Sequence, residues 1–72
     1  MTMEEALRAV VYEAPSDKGF IEYAQAYAKR AILDGMSGES LRVQILYILS
    51  NLGSWRGPRA KEVKQFLKSF KP

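Results

Sequence analysis

The chain has 72 residues, 47% of them hydrophobic, and a formal net charge of +3 at pH 7. It contains neither cysteine nor histidine, which excludes disulfides and the zinc sites built from these residues. A core of this size gives only about 3–5 kcal/mol of net stability, so the fold needs very good packing or a second subunit. We expect a homo-oligomer, most simply a two-fold dimer.

Apolar residues recur at three- and four-residue spacing in four segments, and no segment alternates as a strand would. We therefore predict an all-α fold, with residues 1–72 forming a single compact domain of about four short helices. The predicted helices cover residues 3–14, 18–34, 38–52 and 58–70.

Residues at the predicted helix ends support these boundaries. Thr2 and Glu5 have the form of a capping box for the first helix. Pro15 disfavours helical backbone in the residue before it, which ends that helix. Gly35 suits the left-handed position after the second helix, and Pro58 suits the first turn of the fourth.

The second helix has an apolar stripe that we assign to the core, together with a polar side. The predicted core stripe contains Phe20, Ala24, Tyr27 and Ala31, and it is broadened by Ile21, Ala28 and Ile32. The predicted solvent-facing side contains Lys18, Glu22, Gln25 and Lys29.

The third helix is apolar nearly all round. Its main stripe, which we assign to the core, contains Leu41, Ile45, Ile48, Leu49 and Leu52. Val43, Leu46 and Tyr47 lie on the far side of the same helix. A helix of this kind is either central in its fold or shares one face with another chain, so these three residues are the candidate protein interface.

Catalytic chemistry has little support in this composition. General acid–base catalysis near neutral pH relies most often on histidine, which is absent, and the acids are scattered singly except for Glu4 and Glu5. Those two are adjacent in a helix, point in different directions and favour the helix dipole. The serines lie at turn, cap or helix positions without a recognisable partner base. We predict that the protein is not an enzyme and binds no cofactor or metal.

Charge is concentrated at the C-terminal end. Residues 1–53 hold seven acids and five bases, whereas residues 54–72 hold six bases and Glu62 alone. The bases of the second segment form a candidate face for an anionic partner, and its members are Arg56, Arg59, Lys61, Lys64, Lys68 and Lys71. The four lysines are spaced three, four and three residues apart, which places them on one helical stripe. Such a row is either a solvated surface or a surface that holds nucleic acid by its phosphates.

Two functions therefore remain open. We favour a non-catalytic protein-interaction module, an adaptor or accessory protein that self-associates. The alternative is nucleic-acid binding without sequence preference through the basic face of the last helix. Sequence-specific DNA reading is disfavoured, because the third helix presents mostly apolar side chains where a recognition helix needs polar ones. No basic signal peptide and no apolar run of about 18 residues is present, so we expect a cytoplasmic protein without membrane contact.

Residues 45–70 read ILYILSNLGSWRGPRAKEVKQFLKSF. This stretch resembles one found in small uncharacterised all-helical proteins of phage and prophage genomes, through Tyr47, Asn51, Trp55-Arg56-Gly57 and Val63-Lys64. The resemblance implies a bacterial or viral cytosol and an accessory role, and it carries over no functional residues. If the Trp-Arg-Gly turn is a family feature, Trp55 packs in the core and Arg56 caps carbonyls of the third helix.

Overall fold

The computed structural model describes residues 1–71, and four α-helices account for most of this range. The helices are α1 (Met3–Tyr12), α2 (Ile21–Leu33), α3 (Gly38–Ser50) and α4 (Pro58–Lys68). They form a ring: α2 packs against α1 and α3, and α4 closes the ring by packing against α3 and α1. No strand occurs in residues 1–71, so the prediction of an all-α fold with four short helices is confirmed.

The core is one cluster of side chains from all four helices and the turn before α4. Seven of the 17 buried hydrophobic residues in the described chain are alanines, which let helices approach closely but bury little apolar area. Larger side chains therefore contribute most of the buried apolar area. The largest fully buried ones are Val10, Ile21, Ile48, Leu52, Val63 and Leu67.

Both ends of α1 are capped by side chains. The predicted capping box is present: Glu5 N–H donates to Thr2 Oγ1 at 3.1 Å, and Thr2 N–H donates to Glu5 Oε1 at 3.2 Å. At the other end, the Gln25 side-chain amide donates to the carbonyls of Val10 and Ala14, at 3.2 and 3.1 Å. The prediction that Gln25 faces solvent is therefore wrong, because its amide joins α2 to the last turn of α1.

The boundaries of α2 are set by two left-handed glycines. The helix begins at Ile21, three residues later than predicted, because Gly19 has φ +53° and Phe20 is still non-helical. It ends at Leu33, one residue before the predicted end, and Gly35 has the predicted left-handed backbone with φ +59°. Gly35 N–H donates to the carbonyl of Ile32, and the following N–H donates to the carbonyl of Ala31, the paired bonds of a Schellman motif.

The core face of α2 contains four of the predicted residues but not the two predicted aromatic ones. Phe20 is 65% exposed and Tyr27 lies at the surface, although both were predicted to be buried. The buried residues of this helix are Ile21, Ala24, Ala28 and Ala31. Three of these four are alanines, so α2 lies close to its neighbours and leaves no room for aromatic rings between the helices.

The stripe predicted for α3 is largely confirmed. Leu41, Ile45, Ile48 and Leu52 are buried, whereas Leu49 is half-buried. The helix ends at Ser50, and the Asn51 side chain donates to the Tyr47 carbonyl at 2.8 Å. Among residues 1–71, no helix combines the length and the apolar character needed to cross a lipid bilayer.

Candidate functional site

A row of exposed aromatic rings runs over the outside of α2 and α3. The rings of Phe20 and Tyr23 have centroids 6.1 Å apart, and Tyr27 lies one helical turn beyond Tyr23. Tyr27 stacks on Tyr47 of α3, with ring centroids 5.3 Å apart and an interplanar angle of 26°. With the exposed aliphatic residues of α3, these rings form a surface that we call the aromatic face. Its members are Phe20, Tyr23, Tyr27, Val43, Leu46 and Tyr47.

The interface residues predicted from the sequence all belong to this face. Leu46 is 52% exposed, Tyr47 is 50% exposed, and Val43 is also exposed. Sequence reasoning missed the half of the face that lies on and just before α2, because it assigned Phe20 and Tyr27 to the core and did not assign Tyr23 to the interface. Their spacing of three and then four residues was the available signal, since it defines a second stripe beside the alanine stripe.

The aromatic face is fixed in place by contacts between α2 and α3. The Gln44 side-chain amide donates to the Tyr27 carbonyl at 2.9 Å, beside the stacked rings. The six members of the face carry no charge. Two ion pairs within single helices lie one turn away from it, Arg30 with Asp34 and Arg42 with Glu39. Part of the rim of the face therefore consists of paired charges.

A second surface is a groove of about 520 Å³ between the α3–α4 turn and α4. Trp55, Gly57, Ala60 and Gln65 contribute to its lining. The remaining lining residues are all cationic, and we call the surface they form the basic groove. Its members are Arg56, Lys61, Lys64 and Lys68.

Lys64 has a structural role within the basic groove. Its Nζ donates to the main-chain carbonyl of Trp55 at 2.6 Å, and its side chain is half-buried. Burial lowers the pKa of Lys64, and the nearby charges of Arg56 and Lys68 lower that pKa further. Lys64 is therefore less solvated than the other lysines of the predicted basic row, and its bond to Trp55 uses one of its three N–H donors.

Arg59 and Lys71 do not belong to the basic groove. Arg59 donates to both carboxylate oxygens of Glu13, at 2.8 and 3.1 Å, and to Glu62 at 2.8 Å. The positive charge of Arg59 is thus paired with carboxylates where α1 and α4 meet. These hydrogen bonds from Arg59 hold the pKa of Glu13 below its usual range. Lys71 is exposed beyond the end of α4. Four of the six cations predicted to form this face therefore line the groove.

The turn between α3 and α4 follows the sequence expectation in one respect and departs from it in another. Trp55 is 6% exposed and packs in the core, as predicted. Arg56 was predicted to cap α3, but its side chain lines the basic groove. The carbonyls of Leu46 and Tyr47 instead accept hydrogen bonds from the side chains of Ser50 and Asn51.

No protein-family model, curated protein or solved structure matches this chain. The resemblance of residues 45–70 to phage and prophage proteins therefore stays a prediction.

The two surfaces differ in their chemistry. Within residues 1–71, no three or more carboxylate, imidazole or thiol side chains come together as a metal site would require. The displaced pKa values of Glu13 and Glu39 are explained by hydrogen bonds from their arginine partners. The aromatic face can bury apolar area against another surface, and the basic groove can hold negative charge.

Proposed function

We propose that this protein is a non-catalytic interaction module that self-associates as a two-fold dimer through the aromatic face. The supporting observation is the row of four exposed rings, in which Phe20 lies beside Tyr23 and Tyr27 stacks on Tyr47 across the two helices. Monomeric proteins rarely expose contiguous apolar patches of more than a few hundred Å², and larger patches mark interaction surfaces. A module of this kind acts as an adaptor or accessory subunit.

The size of the face suits this role. A stable interface buries about 800 Å² per partner, and a buried aromatic side chain contributes about 150–250 Å². Four rings that are about half exposed therefore offer about 400 Å², half of the required area. The remainder can come from Val43, Leu46 and the polar rim. The chain exposes 4629 Å² in total, so a standard interface would cover about one sixth of it.

A second copy of the chain is the partner that this face fits best. Two molecules of net charge +3 repel each other, and an uncharged surface lets them approach with the least repulsion. A two-fold axis would pair the same patch on both copies, which requires a self-complementary surface such as a row of flat rings. The alanine-rich core gives a further reason, because a dimer interface adds apolar burial that the single chain lacks.

Sedimentation velocity over a range of concentrations tests this proposal. We expect a dimer that Tyr23→Glu or Leu46→Glu dissociates, because either change would bury an unpaired carboxylate in the interface. Tyr12→Glu is the matched control, since Tyr12 is 77% exposed at the end of α1 and lies outside the aromatic face. Circular dichroism verifies that each variant keeps its helices.

Two results would overturn the proposal. The first is a wild-type chain that sediments as a monomer at high micromolar concentration. The second is a dimer that survives both Tyr23→Glu and Leu46→Glu, which would move the interface away from the aromatic face.

A further inference from the structure

Self-association through the aromatic face leaves the basic groove unexplained. In residues 1–71, none of the groove's four cations forms a salt bridge, although four arginines elsewhere do. The paired arginines are Arg8, Arg30, Arg42 and Arg59. Four unpaired cations around one groove repel one another, and a bound anion would remove that repulsion. The lowered pKa of Lys64, to which Arg56 and Lys68 contribute, is consistent with this repulsion.

The spacing of the cations favours a polyanion over a small anion. Lys61 and Lys68 are seven residues apart on α4, which corresponds to about 10 Å along the helix axis. One strand of a nucleic-acid duplex carries a phosphate about every 3.4 Å of its axis. The lysines of the groove therefore span about three successive phosphates, whereas a single phosphate ion could reach only part of the row.

The side chains that line the groove are suited to contact the phosphate backbone of a nucleic acid and not its bases. Trp55 is 6% exposed, so its ring is not free to stack on a base. Lysine is a point charge on a flexible stem and does not match the donor and acceptor pattern of a base edge. Binding at this groove would thus depend on phosphates and be indifferent to sequence.

We propose that the basic groove binds the phosphodiester backbone of nucleic acid. Arg56, Lys61 and Lys68 contact neighbouring phosphates, while Lys64 holds the turn and directs its remaining donors into the groove. This function is additional to self-association, and each groove is complete within one chain.

Fluorescence anisotropy with a labelled random-sequence duplex and a labelled single strand of the same length tests the proposal. Three to four phosphate contacts give a log–log salt slope of about −3, so affinity should fall about 40- to 150-fold between about 50 and 200 mM salt. Changing the base sequence should leave the affinity unchanged. Arg56→Ala should reduce the slope by about one contact, or about 0.9 for duplex.

The decisive variant is Lys61→Glu/Lys68→Glu, which keeps Lys64 and its bond to Trp55. We expect this variant to lose binding at every salt concentration. Lys18→Glu/Lys29→Glu is the matched control, since each double variant changes the net charge from +3 to −1 (two lysines lost and two glutamates gained). Both control lysines are exposed and lie outside the groove. The control should keep most of the wild-type affinity.

Three outcomes would overturn the proposal. The first is that the wild type does not bind nucleic acid at about 50 mM salt. The second is that both double variants lose the same amount of affinity. The third is that the wild type binds a polyglutamate of the same charge as tightly as it binds nucleic acid. The last would show that the groove takes acidic peptides as readily as nucleic acid. The Tyr23→Glu variant separates the two proposals, because it should lose the dimer and still bind nucleic acid through each groove.

Discussion

The Lys64 ammonium donates a 2.6 Å hydrogen bond to the main-chain carbonyl of Trp55, nine residues earlier in the chain. The same residue, Trp55, donates its own N–H to the Leu52 carbonyl at 3.0 Å and buries its ring in the core. The turn between α3 and α4 is therefore attached to Leu52, two residues after the end of α3, and to the middle of α4.

We expect Lys64→Met to lower the free energy of unfolding by about 1 kcal/mol, the net contribution of one intramolecular hydrogen bond. Methionine keeps the length of the apolar stem but removes the donor. Lys61→Met is the matched control, because Lys61 is exposed on the same helix, and its effect should stay within about 0.5 kcal/mol. Urea unfolding measures both values. Equal losses in the two variants would show that the bond to Trp55 contributes no stability.

Gly19 and Gly35 have similar left-handed backbone but different surroundings. Their φ angles are +53° and +59°. A Cβ at Gly19 would collide with the hydroxyl of Ser54 and lie 3.1 Å from the Ser54 Cβ, whereas a Cβ at Gly35 would meet no atom within 4 Å. Gly35→Ala should therefore cost about 1–2 kcal/mol for the left-handed conformation alone, and Gly19→Ala should cost more.

The additional destabilisation expected for Gly19→Ala can be isolated with Ser54→Ala, because this second substitution removes the hydroxyl that the new Cβ would meet. We expect Gly19→Ala to be less destabilising in the Ser54→Ala background than in the wild type, as thermal unfolding of the four variants of the cycle would measure. Additive effects of the two substitutions would contradict the close approach between Gly19 and Ser54.

The ion pair between Glu13 and Arg59 makes stability depend on pH. The hydrogen bond from Arg59 lowers the pKa of Glu13 in the folded state below its ordinary value of 4.5. A carboxyl whose pKa is depressed on folding contributes stability above its unfolded pKa and loses it as pH falls through the folded pKa. Stability should therefore fall as the pH drops below about 4.5, in the range where carboxylates take up protons.

Glu13→Gln should reduce this loss of stability at acidic pH, because glutamine does not titrate. The comparison is made by urea unfolding at a series of pH values from neutral to acidic. Glu22→Gln is the control, since Glu22 is exposed and no salt bridge in residues 1–71 involves it. If both variants change the pH profile equally, the contact with Arg59 is not the cause.

The elements of this fold could be predicted from the sequence because their signals are local. The capping box of Thr2 and Glu5 and the left-handed Gly35 each depend on residues within one or two turns, and both are present. Local sequence signals do not determine which face of α2 is buried. Helical periodicity permits both the alanine stripe and the aromatic stripe, and the close packing of α2 against its neighbours selects the alanines.

The candidate site was predictable only in part, for the same reason. Periodicity correctly placed Val43 and Tyr47 on the outside of α3. It could not show that Arg59 is paired across the fold, since one of its two partners, Glu13, lies 46 residues earlier in the chain. Nor could it show that Lys64 bends back to a main-chain carbonyl, because the sequence gives no direction for a long flexible side chain.

The ring arrangement of the helices has a consequence for the order in which the chain folds. Three of its four helix pairs are neighbours in sequence, and only α1 with α4 joins distant segments. Short connections cost little loop-closure entropy, so the neighbouring pairs form early and folding is fast. We therefore expect the docking of α4 on α1, with the Glu13–Arg59 contact, to complete the ring last. Substitutions at this contact should then speed unfolding and leave the rate of folding almost unchanged.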